Sequence, residues 1–519
     1  MTHTKFSLSI SVENISRHDG IENLAVHKVS PTMTSKKQQQ RSICVIGGGA
    51  AGMSCAWALA RDPSQRFRVT LLERAPVAGG VATSERFFNE TKLNDGVQGG
   101  SASYANSLKL LDLLGLKPHW VDVTVSFGQG EKQWSNHHET VSPVIRKHKH
   151  EIRKFGKLLR IMKWCPSLFA FVKIQTLLTI CGFSKDFGND IVFPMTALFF
   201  GTGNQTANVS SAIFGEVFNN SKLKLYDYDH DRFVGVAPKM FAFPLFSEYY
   251  AKYAQMIRDT GNAELRFDTC VDKVIRESNR VEVYCSSGET TTFQDFDDVV
   301  FCCSSEVAQG LLEAGSGTTR MERWVFSNVC WYDDVTVTHT DEHYMKKHYD
   351  LSLRPNNTEE FSKNNQKKNN DMYFVRTYPE DRSKIEMSFD LSHYQPTAKT
   401  KEGSSSIYQT IFLNKKVDEG LWTIDKIDPT KILLKKWWRQ FDHSTRHFTR
   451  AVPCWRFLQG KHRTYFAGSH TLVNTHEIAA ISGFAAAYRL GAEYPFVDDE
   501  LAVMQFDLYL SLIHGCKRR

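Results

Sequence analysis

The chain lacks long uninterrupted apolar runs and a clear targeting signal at its amino terminus. Within its 519 residues no run approaches the ~18 apolar residues of a membrane-spanning helix, because Pro166, Lys173 and Gln175 interrupt the closest candidate, 164–183. The first residues also lack the apolar segment of a secretory signal peptide. We therefore expect a cytoplasmic protein with no transmembrane span, and organellar targeting by residues 1–40 stays open.

Strong charge and patterned cysteines are missing as well. Lys and Arg total 64 and Asp and Glu total 57, so the net charge of +7 is small for this length and predicts no nucleic-acid partner. The eleven cysteines show no CxxC pair and no zinc spacing, so we expect no metal site. Five cysteines lie in apolar, β-branched runs and are predicted to be small, buried and reduced: Cys44, Cys270, Cys285, Cys302 and Cys303.

What is present is an ordinary globular composition with two or three polar interruptions. Hydrophobic residues make up 41% of the chain and charged residues 23%. Residues 1–40 are polar and aperiodic, which predicts a disordered leader. The polar stretches 355–371 and 400–406 are interpreted as surface loops.

Hydrophobic periodicity predicts an α/β protein. In chain order the predicted elements are a strand at 43–46, a helix at 50–60, a strand at 68–72, a helical apolar region over 151–214, hairpin-like alternation over 265–302, a strand at 464–467 and a helix over 478–490. The opening strand, helix and strand form a βαβ unit, which is where a nucleotide site would be sought.

A glycine-rich turn follows the first predicted strand. Gly47, Gly49 and Gly52 form the pattern GxGxxG: the first allows a tight turn, the second lets a pyrophosphate approach the backbone, and the third lets helix and strand pack closely. The helix that begins here, which includes Ala51, offers free N–H groups and a partial positive charge to phosphate. Glu73 ends the second strand, where its carboxylate can bond a ribose hydroxyl. These residues predict a dinucleotide site, with NAD and FAD both open.

Further segments resemble the flavin-containing amine oxidoreductase superfamily. The pair Gly79-Gly80 follows Glu73 closely, and the family places such a loop against the phosphates and ribityl chain of FAD. The likeness continues at 94–99, 104, 110–116, 269–274, 464–469 and 476–483. It spans the chain from residue 42 to about 495, and it is specific for the cofactor but much less so for the reaction.

The resemblance implies a Rossmann-type FAD-binding domain built from discontinuous segments, with an inserted α+β substrate domain. The implied segments are a leader (1–40), FAD-binding parts (41–118, 241–312 and 451–497), substrate-domain parts (119–240 and 313–450) and a C-terminal helix with a basic tail (498–519). FAD is expected to bind noncovalently. The residues expected to contact it are Gly47, Gly49, Ala51, Gly52, Glu73, Arg74, Gly79, Gly80, Val81, Val271, Gly468, Ser469, Glu477 and Ile478.

Three departures from the family pattern argue against classical amine oxidation. Strict amine oxidases carry arginine after the Gly-Gly pair, where this chain has Val81. Their closing Gly-Asp or Gly-Glu is Gly468-Ser469 here, and their lysine near flavin N5 has no evident counterpart. The closest likeness is to the branch linked to cyclopropane fatty-acid metabolism, through 337–341, Pro194-Met195 and His476-Glu477.

We therefore expect an FAD-dependent oxidoreductase that passes a hydride from a small hydrophobic, lipid-like substrate to the flavin. A flavin-dependent double-bond isomerase and an amine oxidase stay open, and so does a non-enzymatic carrier of prenyl or lipid chains with the same fold. The oligomeric state is left open. Peripheral membrane contact also stays open, because 501–513 with the basic 517–519 fits either an interfacial helix or a helix docked on the core, and docking is favoured.

The resemblance gives His476 and Glu477 as catalytic candidates beside the flavin. A histidine there suits acid–base chemistry near neutral pH, whereas the alternative is that His476 caps the following helix or packs without acting. His339 is a weaker candidate, because a strand histidine on a polar face is usually solvated. The apolar stretches 161–183 and 193–200 fit either a channel for a long apolar substrate or ordinary core.

Overall fold

The structure is a computed structural model, and it describes residues 40–87, 92–137, 141–164, 166–200, 204–219, 225–235, 237–288, 290–349, 351, 371–398 and 405–518. The predicted leader lies outside these residues except for Gln40. The two predicted polar loops also lie outside them except for residues 371, 405 and 406.

The strands are β1 (Arg41–Ile46), β2 (Phe67–Leu72), β3 (Ser84–Arg86), β4 (Lys92–Asn94), β5 (Gly99–Ser101), β6 (His119–Asp122), β7 (Val125–Phe127), β8 (Trp134–Ser135), β9 (Tyr228–Asp229), β10 (Phe233–Val234), β11 (Lys239–Ala242), β12 (Ala263–Arg266), β13 (Cys270–Arg276), β14 (Val281–Ser287), β15 (Thr290–Phe296), β16 (Asp298–Phe301), β17 (Trp331–His339), β18 (Tyr373–Thr377), β19 (Ile385–Asp390), β20 (Tyr408–Phe412), β21 (Ile432–Phe441) and β22 (Thr464–Phe466).

The α-helices are α1 (Ala50–Ala60), α2 (Ala105–Leu113), α3 (Pro143–Lys147), α4 (Lys149–Trp164), α5 (Pro166–Phe169), α6 (Ile174–Ile180), α7 (Lys185–Phe187), α8 (Phe193–Phe200), α9 (Ala212–Asn219), α10 (Phe246–Arg258), α11 (Ser305–Glu313), α12 (Arg320–Ser327), α13 (Glu342–His348), α14 (Leu391–Tyr394), α15 (Lys415–Asp418), α16 (His476–Leu490) and α17 (Glu500–Tyr509). Wider π-helical turns cover Gly188–Val192, His447–Ala451 and Leu510–His514. Tighter 3₁₀ turns cover Gly130–Lys132, Thr206–Asn208, Pro396–Ala398, Glu419–Leu421, Ile424–Lys426, Pro429–Lys431, Val452–Phe457 and Ser469–Thr471.

Five strands form an all-parallel sheet in the order β12-β2-β1-β16-β22. In its centre Cys44 lies between Thr70 of β2 and Val299 of β16. Ile43, Cys44 and Val45 are completely buried, which explains why β1 is a continuous apolar run rather than an alternating one. The sheet therefore has its centre at the strand that leads into the glycine-rich turn.

Helices α1 and α16 pack against each other with their backbones in contact. A Cβ atom built on Gly483 of α16 would lie 2.0 Å from the carbonyl oxygen of Ala51 in α1. Ala480, Ala486 and Ala487 are buried along the same helix. Small side chains on α16 therefore allow the first and the last helices of the nucleotide fold to meet closely.

The second large sheet has seven strands in the order β21-β17-β20-β19-β18-β7-β8. Its neighbours are antiparallel except for β7 and β18, which run parallel. Side chains of this sheet such as Val125, Met387 and Ile385 share one hydrophobic core with helices of the 143–219 region. Helices of the 143–219 region thus form a layer on this mixed sheet, which is separate from the five-stranded parallel sheet.

Helix α4 illustrates why that layer forms. Ile152, Phe155, Leu159 and Met162 are buried at the three- and four-residue spacing of one helix face. The opposite face is rich in lysine and arginine and is exposed. The amphipathic pattern therefore orients α4 with its apolar stripe on the core and its basic stripe in solvent.

The predicted α/β class with a Rossmann-type fold is confirmed, but the hairpin prediction over 265–302 is only partly right. β13, β14 and β15 do form an antiparallel sheet. β12 and β16, however, belong to the parallel sheet, because β2 on one side and β1 with β22 on the other complete their hydrogen bonding. Short alternating strands do not encode the identity of their partners.

The burial prediction for the five cysteines needs correction. Cys44 and Cys285 are buried, but Cys270 is exposed and Cys302 and Cys303 are partly exposed. Cys270 opens β13 at an outward-facing position, and the latter two lie just beyond the end of β16, where the sheet opens onto the cavity described below. The buried parts of the strands near Cys270, Cys302 and Cys303 are therefore shorter than the sequence suggests.

The C-terminal segment docks on the core, as the sequence analysis favours. Phe506, Tyr509, Leu510 and Ile513 are buried in the same cluster as β1 and α16. Among the described residues, no helix is both long and apolar enough to cross a membrane.

We predict that Gly483→Val destabilises the fold. Its side chain would overlap the Ala51 carbonyl, and overpacking of this kind costs about 1–3 kcal/mol. The free energy of unfolding, from chemical denaturation followed by circular dichroism, should fall by that amount. Gly310→Ala on α11 is the control, because nothing lies within 4 Å of its added Cβ, and it should be neutral or slightly stabilising. Equal stability of the two variants would contradict the close packing.

Candidate active site

The carboxyl ends of the parallel strands converge on one edge of the sheet. Gly47 directly follows β1, Glu73 directly follows β2 and Gly468 lies two residues beyond β22, and all three residues line a single cavity. In open parallel sheets ligands bind at this edge, where the strand order reverses. The fold therefore places the glycine-rich turn at the edge of the sheet where ligands bind.

Two glycines of the fingerprint are required by close packing within the protein. Gly47 has φ of +107°, and a Cβ there would lie 2.9 Å from the carbonyl oxygen of Cys302. A Cβ on Gly52 would lie 1.8 Å from the carbonyl oxygen of Gly47. These positions explain the tight turn and the close helix–strand packing that the motif predicts.

Gly49 differs, because its open side faces the cavity. It is the residue before α1, with φ of −76°, and the nearest atom to an added Cβ would be the Cα of Gly80 at 3.8 Å. Its backbone accepts any residue, so the chain itself does not require glycine here. Glycine here leaves room for a group to approach the first turn of α1, where Ala51 lies.

A second glycine loop meets the first. The N–H of Gly79 donates to the carbonyl oxygen of Gly48 at 2.9 Å, and Gly49 and Gly79 form a short parallel bridge. Both Gly79 and Gly80 have positive φ, and Val81 is half exposed beside them. We call the turn 47–52, Glu73 and the loop 79–81 the dinucleotide cradle.

Glu73 is held at the rim of the cradle. Its carboxylate accepts the N–H of Gly48 at 2.6 Å and the N–H of Ala75 at 2.8 Å. The N–H of Thr269 donates to the Glu73 carbonyl oxygen, which brings the start of β13 and the cavity-lining Val271 alongside. Arg74 also lines the cavity and is exposed.

The closing segment completes the cavity from the far end of the chain. Gly468 has φ of +140° and donates its N–H to the Ser482 hydroxyl at 2.8 Å, while Ser469 lies next to it. Thr475 caps α16 by accepting the N–H of Ile478 at 3.0 Å. The amino terminus of α16 thus opens onto the cavity and offers N–H groups and a partial positive charge.

The cavity is large, with a volume of about 1280 Å³, and it continues from the cradle into the second sheet and the helical layer. Drug-sized ligands occupy pockets of about 300–1,000 Å³, so this space exceeds the needs of one small ligand. Its walls beyond the cradle are mostly apolar. They include Ala197, Leu198, Ile213, Val217, Leu225, Met240, Tyr373, Met387, Phe389, Ile411, Leu413 and Phe448.

A partly buried polar cluster lies between the cradle and the apolar part. The ammonium of Lys436 donates to Asp95 at 2.7 Å, to Glu85 at 2.6 Å and to Thr83 at 3.1 Å. Burial by itself lowers the pKa of Lys436, but the hydrogen bonds to both carboxylates raise it above its ordinary value. Lys436 is therefore a cation that two carboxylates fix at the cavity wall, and it lies over the face of Trp438.

Sequence reasoning missed Lys436. Asp95 lies within a segment that resembles the family, but Lys436 stands in an aromatic and basic run with no motif around it. Strand alternation in 432–441 would have placed Lys436 and Trp438 on the same face, which is the one signal that could have found it.

Gln98 and Gln409 extend this polar boundary. Gln98 donates to Gln409 at 2.5 Å and accepts the Tyr394 hydroxyl, while Gln409 donates to the Asp95 carbonyl oxygen at 3.1 Å. Both glutamines line the cavity. They are neutral donors and acceptors that could orient one polar group of a ligand.

The two predicted catalytic residues have protein partners. His476 hydrogen bonds through Nδ1 to Ser107 and through Nε2 to Tyr250, each at 3.1 Å, and it packs against Phe243 and Phe246. Burial lowers its pKa to about 4. These contacts favour the second interpretation of the sequence, in which His476 packs without acting as an acid or base.

Glu477 is occupied in a similar way. Its carboxylate accepts the N–H groups of Asn106 and Ser107, each at 2.8 Å, and the Asn106 side-chain amide at 2.9 Å. Burial raises its pKa, and these hydrogen bonds oppose the rise. Glu477 joins the start of α2 to the start of α16.

His339 does not line the cavity, and the expectation that it is solvated is wrong. It is completely buried, bonds through Nε2 to Thr410 at 3.0 Å and accepts the Asp341 N–H at 3.2 Å. The seven-stranded sheet has side chains packed on both faces at this point, so a polar residue in β17 is covered by α13. Burial lowers its pKa to about 4.

We predict that His476 makes the fold less stable in acid. Its folded pKa of about 4 lies below the ordinary 6.5, so the neutral form is favoured in the folded state and stability is lost as pH falls from 6.5 towards 4. His476→Gln keeps hydrogen-bonding capacity without titrating. Between pH 6.5 and pH 4, the free energy of unfolding of the variant should fall by up to roughly 3 kcal/mol less than that of the parent. Parallel losses in urea titrations would contradict a buried neutral imidazole.

Two sequence families match the chain. Residues 45–114 match the NAD(P)-binding Rossmann-like domain, and residues 246–491 match the flavin containing amine oxidoreductase family. The first match covers the dinucleotide cradle and the second covers the closing segment. No curated protein matches the chain in sequence.

Solved structures share the fold at low identity. A CLA-producing fatty acid isomerase from P. acnes is 14% identical with a TM-score of 0.56, over 87% of this chain and 98% of that one. Putrescine oxidase bound to putrescine is 12% identical with a TM-score of 0.57, over 87% and 99%. Cyclohexylamine oxidase from Brevibacterium oxydans IH-35A is 13% identical with a TM-score of 0.55, over 87% and 100%. With the two family matches on the cradle and the closing segment, residues 246–491 are identified as a flavin containing amine oxidoreductase region, and the chain is a flavin-dependent oxidoreductase.

Proposed function

We propose that the chain binds FAD noncovalently and passes a hydride from a long, apolar, lipid-like substrate to the flavin. The observation that carries this proposal is the continuity of the cavity, which runs from the dinucleotide cradle into a space with largely apolar walls. A ligand that fills such a space gains free energy from burial of hydrocarbon, at about 25 cal/mol per Å².

The residues of the cradle fit FAD. Gly49 and the first turn of α1 leave room and N–H groups for the pyrophosphate, and Glu73 can bond the ribose. The loop 79–81 would contact the ribityl side, and Gly468, Ser469 and the start of α16 would receive the pyrimidine edge of the ring. When bound, the flavin supplies the hydride acceptor, and the protein supplies binding, orientation and exclusion of water.

Two of the three cysteines that line the cavity, Cys302 and Cys303, support a noncovalent cofactor. Burial raises the pKa of Cys303 to about 12 and that of Cys302 well above its ordinary value. A thiol in its protonated form is a poor nucleophile, so neither sulfur is prepared to form a bond to the flavin.

We assign a positioning role to the polar residues around the ring. Glu477 and His476 hold the start of α16 on α2, so they fix the N–H groups that would face the flavin. Lys436, Asp95 and Gln98 form the boundary between cofactor and substrate regions, where Lys436 could stabilise negative charge that develops on the reduced ring.

A double-bond isomerase is the second candidate. The shared fold of a fatty acid isomerase supports it, and the same cavity would serve a reaction in which the hydride returns to the substrate. Amine oxidation is less well supported, because the cavity walls beyond the cradle are mostly apolar and so suit hydrocarbon better than an ammonium group. A carrier would have no use for the cradle.

The domain division stays part of this proposal. FAD-binding segments at 41–118, 241–312 and 451–497 agree with the positions of β1, β2, β12, β16, β22, α1 and α16. Segments 119–240 and 313–450 would supply the substrate side, and we keep a cytoplasmic location as an expectation.

We predict opposite behaviour from two cradle variants. Gly49→Val should fold, because its φ suits valine and its nearest neighbour is 3.8 Å away, but purified protein should lose more than about tenfold in FAD affinity. Gly47→Val should instead lower the melting temperature, because the position has positive φ and contacts Cys302. Flavin absorbance after denaturation and a melting curve separate them. A fully FAD-loaded Gly49→Val variant would contradict the cradle assignment.

We predict that unsaturated fatty acids, rather than diamines, engage the flavin. Under anaerobic conditions a fatty-acid substrate should bleach the absorbance of the oxidised flavin, while putrescine should not. Ile411→Trp should raise KM for long chains by about tenfold by filling the cavity, with smaller effects on short chains. Product formation without bleaching or oxygen uptake would favour the isomerase, and bleaching by amines alone would reject the lipid assignment.

A further inference from the structure

Four large apolar side chains are exposed within one short stretch of the helical layer. The exposed fractions are 60% for Ile161, 87% for Trp164, 66% for Leu168 and 70% for Phe171. They extend from the end of α4 through α5 to the residues before α6. We call them the 161–171 surface. Exposed apolar clusters of this kind mark sites that contact another phase or molecule.

The backbone of residues 169–172 is anchored to the residues that precede α9. The Ser211 hydroxyl donates to the Phe169 carbonyl oxygen and the Ser210 hydroxyl to that of Ala170, each at 3.0 Å. The N–H of Ser211 donates to the carbonyl oxygen of Val172 at 2.8 Å. These bonds fix the backbone beside Leu168 and Phe171 against the start of α9.

Basic residues continue the same surface along α4. Arg153, Lys157, Arg160 and Lys163 are exposed at helical spacing and lead towards Trp164. Arg153 pairs with Asp231 at 3.2 Å, but within the described part of the chain Lys157, Arg160 and Lys163 have no carboxylate partner. The outer face of α4 therefore has a positive stripe that ends in large apolar groups.

The 161–171 surface adjoins the cavity. Ala170, between Leu168 and Phe171, lines the cavity, as do Ser210 and Ile213, which stand at the start of α9. The apolar end of the cavity and the exposed apolar side chains are thus joined through a single short segment.

We propose that the 161–171 surface docks on a bilayer that contains anionic lipid, and that the substrate enters the cavity from there. Tryptophan and phenylalanine beside lysine and arginine suit the boundary between headgroups and acyl chains, where rings enter the apolar region and cations meet lipid phosphates. An acidic protein would satisfy the positive stripe but gives no comparable environment to a row of apolar side chains. Docking stands on the surface alone, whereas entry of a lipid substrate rests on the proposed function.

The test is co-sedimentation of the flavin-loaded full chain with phosphatidylcholine vesicles, with and without phosphatidylserine. The parent should bind only the anionic vesicles, less tightly at higher salt. The double variant Trp164→Ser and Phe171→Ser should lose about tenfold or more in partitioning. Phe293→Ser is the matched control, since Phe293 is exposed to 62% on β15 and should not matter.

Charge reversal tests the stripe separately. Lys157→Glu, Arg160→Glu and Lys163→Glu together should lose at least about tenfold in vesicle binding. The same change at the exposed Lys347, Lys416 and Lys435, with equal net charge, should leave binding within about twofold of the parent. Equal losses in both triple variants would overturn the proposal, since they would show a response to net charge.

The outcomes separate docking from catalysis. Vesicle binding without turnover of fatty acids would leave docking intact and reject the proposed function. Turnover without any vesicle binding would overturn docking. Light scattering that shows a dimer in the parent and a monomer in the Trp164→Ser, Phe171→Ser variant would also overturn it, because a second copy would then cover the surface.

Discussion

Close backbone contact at one edge of the parallel sheet is the constraint on which the site depends. Gly52 rests on the carbonyl oxygen of Gly47, and Gly483 of α16 rests on that of Ala51 in α1. With larger residues the two helix amino termini could not converge on the same space. The first and last elements of the fold therefore jointly define where two sets of free N–H groups meet.

From that edge the cavity changes character along its length. The cradle end has backbone N–H groups and one carboxylate, the middle has Lys436, Asp95 and the two glutamines, and the outer part is apolar. The middle polar groups satisfy one another, so their burial is tolerated. A ligand that spans the cavity would need a polar group at one point and hydrocarbon beyond it.

Much of the backbone geometry of the dinucleotide cradle could be predicted, because its requirements are local. A turn with positive φ at Gly47, a close helix contact at Gly52 and an acidic residue at the end of β2 are each encoded within a few residues. The polar cluster around Lys436 could not be predicted, because Lys436 meets Asp95, 341 positions away in sequence, only through the tertiary structure. His339 failed for the same reason, since burial of a strand face depends on what α13 adds to it.

The discontinuous order of the parallel sheet also bears on how the protein is made. β1 can acquire its neighbour β2 early, but β22 and α16 lie roughly 420 residues further along the chain. At about 5–20 residues per second the ribosome needs tens of seconds to deliver them. During that time the apolar face of α1 lacks its final partner, α16. We therefore expect the nascent chain to depend on chaperones, and refolding to be limited by closure of this long loop.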